Sequence, residues 1–122
     1  MSEQADLLKQ RTFQFTLDVI ELATTFPVSE PGPTIKRQLL KAATSVGANY
    51  RAACRARSHA DFTSKIGVVA EEADECQHWL QVVAGAKLTT GPELKRLQRE
   101  STELVAIFSR QVGTARLNER RR

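Results

Sequence analysis

Apolar residues recur at steps of three and four along four stretches of the chain, and no stretch alternates in the manner of a strand. The first stretch runs from about Ala5 to Phe26, where Phe13, Leu17, Ile20 and Thr24 mark out a predicted core seam. Pro27 stops it, and Pro31, Gly32 and Pro33 make the following segment a loop. The second runs from about Thr34 to Arg57, with Ile35, Leu39, Ala42, Val46, Tyr50 and Ala53 on its inner side. Ser58 opens the third, and Asp61 three residues later completes a capping-box pattern. Its stripe is Phe62, Ile66, Val69, Ala73, Cys76, Leu80 and Val83, a sustained heptad-like seam. Gly85 and the turn Thr89-Thr90-Gly91-Pro92 end it. The fourth runs from about Pro92 to Leu117, with Leu94, Leu97, Ser101, Leu104, Phe108 and Val112 as its seam. Residues 118–122 read as a frayed basic tail. Short connections make consecutive helices antiparallel neighbours. The prediction is therefore all-α, an up-down-up-down four-helix bundle forming one domain over residues 1–122.

Three helices carry more apolar surface than one bundle needs. At about 100° per residue, Leu8, Phe15, Val19, Leu22 and Phe26 lie on a face adjoining the first seam, giving an apolar arc of about 200°. The third helix has a second stripe, Lys65, Val68, Glu72, Glu75, Trp79 and Val82. The second helix has a flank of small residues, Ala42, Ser45, Asn49, Ala52 and Ala56. Two readings are open: these flanks thicken the monomer's own core, or they are subunit contacts in a homo-oligomer. On the second reading Phe15, Val19, Phe26, Ala42, Ser45, Asn49, Val68, Glu72 and Trp79 form the candidate interface. Glu72 and Asn49 would be polar contacts fixing register.

Charge adds a second kind of surface. The chain has 122 residues and a net charge of +4, and its basic residues are unevenly placed. From Pro31 to Ala60 there are six Lys and Arg residues and no acid. Arg37, Lys41, Arg51 and Arg55 fall within about 80° of one another, opposite the core seam of the second helix. Such a stripe can hold nucleic-acid phosphates with a salt-sensitive affinity. Alternatively, it is a solvated face paired with acids such as Glu71, Glu72 and Glu75 from a neighbouring helix or subunit. Base-stacking aromatics do not interleave it, so any binding would be weakly sequence-specific.

The remaining chemistry is sparse. No run of eighteen apolar residues occurs, so no membrane span is expected. The start, MSEQADLLKQR, lacks the apolar stretch of a signal peptide. Cys54 and Cys76 read as reduced packing thiols, which points to the cytoplasm. Glu75 and His78 form Glu-x-x-His, half of a di-iron carboxylate site, but the residue three before the other histidine, His59, is Ala56. Glu71, Glu72, Asp74 and Glu75 cluster without a nucleophile or oxyanion loop nearby and read as charge partners of the basic second helix. No phosphate-binding loop, dinucleotide fingerprint or hydrolase motif occurs. No catalytic residue, metal or cofactor is expected. Gly47 and Gly67 fall inside helices, each costing about 1 kcal/mol against alanine, and close helix approach is the expected reason.

The stretch Gln38 to Leu80 reads QLLKAATSVGANYRAACRARSHADFTSKIGVVAEEADECQHWL. It closely resembles the bacterial four-helix-bundle family named for open reading frames inside intervening sequences of 23S ribosomal RNA genes. The family pattern QLxRAxxSIxANIxEA matches at Gln38, Leu39, Ala42, Ser45, Val46, Ala48 and Asn49. The later pattern SxxEFxxxLxIAxxExxExxYWL matches at Ser58, Phe62, Ile66, Val69, Ala70, Glu72, Glu75, Trp79 and Leu80. The chain departs from the family at Ala52 and Asp61, where the family has glutamates, and at His78, where it has a tyrosine. The resemblance implies an up-down bundle and a homopentameric barrel, and for most members no biochemical activity is established. The family is also similar to an accessory protein of diversity-generating retroelements, which binds nucleic acid and a reverse transcriptase. The expected partners are therefore further copies of the chain, RNA or DNA, and a reverse transcriptase or another protein. The leading expectation is a non-enzymatic oligomer with a nucleic-acid face on its second helix. A scaffold or partner-binding module is the alternative.

Overall fold

The structure is a computed structural model that describes residues 2–121. Four helices account for its regular structure: α1 (Glu3–Ala23), α2 (Gly32–Ala53), α3 (His59–Gly85) and α4 (Pro92–Arg120). No strand occurs among the described residues.

Local chemistry sets the helix ends. The Ser2 hydroxyl accepts from the Ala5 N–H at 3.0 Å and opens α1. At its other end, the hydroxyls of Thr24 and Thr25 turn back onto the Glu21 and Leu22 carbonyls. Pro27 forbids another turn, so α1 stops three residues before the expected Phe26. The α1–α2 connection folds so tightly that a Cβ on Gly32 would lie 2.0 Å from the Pro27 carbonyl oxygen, which only glycine avoids. The expected box opens α3: Ser58 Oγ accepts from Asp61 N–H at 3.0 Å, and the Asp61 carboxylate accepts from Arg57 N–H at 3.1 Å. Gly91, at φ 112°, supplies the left-handed residue that turns the chain into α4. That helix continues through Arg120, so residues 118–120 of the expected frayed tail are helical. Arg122 lies outside the described residues.

The helices pack in the order α1–α2–α3–α4, with α1 closing against α4; across the diagonals the backbones stay apart and only side chains meet. The seams predicted for α2, α3 and α4 point inward. Leu39, Val46, Ile66, Val69, Leu80, Leu97, Leu104 and Phe108 are fully buried. Tyr50 and Phe108 meet at 5.3 Å between ring centroids.

The seam predicted for α1 points outward instead. Phe13, Leu17 and Ile20 are 64%, 44% and 42% exposed, whereas Phe15 and Val19 are 2% and 0%. Leu8, Leu22 and Phe26 are buried with them. The physical reason lies in the edges of the helix. On one edge Arg11 donates two hydrogen bonds of 2.7 Å to the Glu100 carboxylate and a third to Glu103, while Arg96 reaches Asp18 at 2.8 Å. These pairs dock α1 on α4. On the other edge Thr16 donates to the Ala43 carbonyl at 3.0 Å and docks α1 on α2. The face between those edges, carrying Phe15 and Val19, must turn inward. Each such side chain contributes about 1.5–3 kcal/mol on burial.

Close approach does not require glycine at either mid-helix position, because a Cβ at Gly47 would make only ordinary contact with its neighbours. Gly47 faces Thr12, whose backbone and hydroxyl would lie 3.6–3.7 Å from an added Cβ. Thr12 is itself buried, with its hydroxyl donating to the Leu8 carbonyl at 2.9 Å. Nothing lies within 4 Å of a Cβ at Gly67, so packing within the chain does not require glycine there.

Candidate functional site

Three members of the basic stripe lie on α2, while the helix ends at Ala53, short of the expected Arg57, and leaves Arg55 in the following turn. Burying Leu39, Val46 and Tyr50 turns the opposite side of α2 outward, and Arg37, Lys41, Arg51 and Arg55 are all exposed. From Arg37 to Arg51 the helix rises about 21 Å, the axial length of about six base pairs, and Arg55 stands in the turn beyond the end of α2. Among the described residues none of the four makes an ion pair. Arg37 donates to the Thr34 hydroxyl at 3.3 Å. Hydrogen bonds from Thr34 and the charge of Arg37 hold the nearby Glu30 carboxyl below its ordinary value.

The acidic cluster does not pair with this stripe inside the chain. Glu71, Asp74 and Glu75 are exposed on the outer face of α3, and no ion pair reaches any of the cluster among the described residues. This corrects the expected pairing of the α3 acids with α2. The two sets point outward from different helices, and the small flank of α2 lies between them. Burial raises the Glu72 carboxyl above its ordinary value, and the neighbouring Glu75 pushes it further up. Lys41 pulls the other way without closing a bridge.

The candidate subunit contacts divide into two groups. Phe15, Val19, Phe26 and Ala42 are buried in the chain's own core and have no surface left to offer, so their placement on an outer flank is corrected. Ser45, Asn49, Glu72 and Trp79 are half-buried along the α2–α3 groove, and Val68 is exposed. Asn49 spends its amide locally, donating to the Ser45 carbonyl at 2.8 Å. Trp79 packs on the core edge with the exposed His78 ring set against it at 4.8 Å.

A different surface takes the place of the buried group. Lys9, Gln10, Phe13 and Thr16 of α1 and Thr44, Gly47, Ala48 and Arg51 of α2 line an open groove of about 620 Å³. Leu17 and Ile20 continue its apolar side along α1. The sequence held a signal for this surface. Arg11 and Asp18 lie together on the far edge of α1, where they could have been paired with the Glu and Arg residues of α4.

Other chemistry-bearing side chains have structural employment. Cys76 is buried, and burial pushes its thiol far above the ordinary range, so it is not a nucleophile. His59 lies 2.9 Å from the Ala115 carbonyl and ties the start of α3 to the end of α4. Among the described residues no three His, Cys, Asp or Glu side chains gather closely enough to hold a metal. No described helix is long and apolar enough to cross a membrane.

Four antiparallel helices around a filled core define a small four-helix-bundle protein. The chain belongs to the 23S rRNA-intervening sequence protein family, whose sequence profile matches residues 6–110. It is similar to a solved protein of unknown function from the S23 ribosomal protein family of Bacteroides thetaiotaomicron. The two are 25% identical with a TM-score of 0.75, and the match covers 85% of this chain and 96% of that one. No curated protein matches the chain.

Proposed function

We propose that the chain is a non-catalytic, self-associating helical bundle of the cytoplasm that holds RNA or DNA phosphates on the outer face of α2. The observation that carries this reading is the row of four exposed cations, Arg37, Lys41, Arg51 and Arg55, without an ion-pair partner among the described residues. Phosphate contacts hold an unstacked backbone without reading bases, so affinity should be similar across unrelated sequences. Assembly, with five copies favoured by the family resemblance, would repeat the row and add weak contacts through multivalency. Four neutralised phosphates per copy give a salt slope of about −3 to −4.

Filter binding of the wild type at about 50 mM salt, rising from there, is the test. Retention at low salt that is lost as salt rises is expected. Reversing Arg37→Glu and Arg55→Glu together should flatten the slope by about two and leave helix content unchanged. No retention at the lowest salt would end the nucleic-acid reading.

A second reading is favoured by a separate observation, the exposed stripe Phe13, Leu17 and Ile20. On that reading the bundle is a scaffold or a docking module for a protein such as a reverse transcriptase. Retention of a purified partner with no binding to nucleic acid would distinguish it.

A further inference from the structure

Two surfaces of this molecule are incomplete in opposite senses, and the apolar side of the first, on α1, lies diagonally across the bundle from the second, on α3. On the first, the α1–α2 groove, an apolar side of Phe13, Leu17 and Ile20 stands beside the unpaired cation Arg51. Its floor is made of small residues, Thr16, Thr44, Gly47 and Ala48. A floor of that kind lets another helix come close. On the second, the outer face of α3, Val68, Glu71, Glu75 and Val82 recur at steps of three, four and seven and so share one side of the helix. Val68 is 38% exposed, and Glu71 and Glu75 have no cation partner among the described residues. Gly67 beside them has open space around it.

We propose that the α1–α2 groove receives the outer face of α3 from a second copy of this chain, with Phe13, Leu17 and Ile20 against Val68 and Val82, and Arg51 against Glu71 and Glu75. This names the contact for the self-association proposed above and rests on that part of the reading. Three observations select a second copy as the occupant. The groove needs an apolar helix face bearing acids, and α3 is such a face. Among the described residues Glu71 and Glu75 lack a cation, and the groove holds a free one, Arg51. Burial raises the Glu72 carboxyl and the neighbouring Glu75 pushes it further up, and a cation set against Glu75 would ease that second effect. Because α1 and α3 are diagonal in the bundle, one copy's groove and its α3 face point away from each other. The contact is therefore heterologous, head to tail, and propagates to a closed ring or an open filament. It also commits Arg51 to the subunit boundary and leaves Arg37, Lys41 and Arg55 for phosphate.

The test uses the full chain, with mass read by light scattering and helix content by circular dichroism. Phe13→Asp should dissociate the assembly with helix content unchanged, because Phe13 is outside the core. Arg51→Glu and Glu75→Arg should each weaken association by about tenfold or more. The two together in one chain should restore it, and a mixture of the two single variants should assemble where neither does alone. A monomeric wild type overturns both this contact and the self-association it rests on. An oligomeric wild type whose mass survives Phe13→Asp and both reversals overturns this contact only. Loss of nucleic-acid retention by Arg51→Glu at unchanged mass would return Arg51 to the phosphate row and likewise overturn the contact.

Discussion

α1 and α4 close the same side of the bundle, yet they were read from the sequence with opposite results. α4 has one apolar stripe, and Leu94, Leu97, Ser101, Leu104, Phe108 and Val112 all turn inward as its spacing requires. α1 has two stripes of the same period. Phe13, Leu17 and Ile20 kept solvent, while Phe15, Val19 and Leu22 took the core. Periodicity therefore establishes that a helix has an apolar face, and it identifies the buried face only when there is one to choose. Where there are two, the polar residues at the helix edges decide, here Arg11, Thr16 and Asp18.

The largest expected difference separates the two phenylalanines. Phe15→Ala should cost about 3–5 kcal/mol of stability by denaturant titration, because it empties a packed site. Phe13→Ala, compared in the dissociated monomer, should stay within about 0.5 kcal/mol. Equal losses would break the comparison between the two stripes. Next in size is Trp79→Asp, which sets a charge on the core edge under α3. Its half-buried site makes the loss on the order of 2 kcal/mol in the monomer itself, visible as a lower melting temperature whether or not assembly changes. A melting temperature unchanged by that substitution would show Trp79 to be free of the core.

Arg11→Ala removes the bidentate clamp between α1 and α4 and should cost about 1 kcal/mol, since both partners are only partly shielded from water. The loss should shrink as salt is added. Amide exchange should then rise along α1 before it rises in α3, which is packed on both sides.

The smallest effects are in pH. Burial alone would push the Asp18 carboxyl up, but hydrogen bonds from Arg96 and Gln14 outweigh it and hold the group below its ordinary value of 3.8. A lowered folded value means stability that is present above pH 3.8 and lost as pH falls through the folded value. Glu72 runs the other way. Its raised carboxyl contributes stability that is full below its ordinary value of 4.5 and lost as pH rises through the folded value. Asp18→Asn should therefore flatten the acid limb of a stability–pH curve, and Glu72→Gln should remove the decline above it. Shifts of the same sign in both variants would contradict this assignment.

Most of the fold was legible because each helix carries its own signals. Pro27, the Ser58–Asp61 box and the Gly91–Pro92 turn set boundaries by local chemistry that needs no tertiary partner. The inner seams of α2, α3 and α4 followed from spacing alone. The end of α4 is not legible in the sequence, because charged residues such as Arg116, Glu119 and Arg120 continue a helix as readily as they end one. The basic row on α2 was legible because it lies opposite an unambiguous core face. The groove beside it was not, since it depends on the orientation of α1 about its own axis. The absence of pairing between the α3 acids and α2 was equally hidden, because it depends on the directions of two helices together.

Gly67 and Gly113 are each set inside a long helix with nothing within 4 Å of where a Cβ would stand. Alanine at either position would shrink the ensemble of the unfolded chain and favour helix by about 0.5–1 kcal/mol, and sites far apart add. The bundle thus operates below the stability its own backbone permits. Such a reserve widens the set of otherwise harmful substitutions that the chain can absorb once either glycine is replaced. The exposed outer faces of α1, α2 and α3 could then acquire new contacts while the same four-helix frame persists.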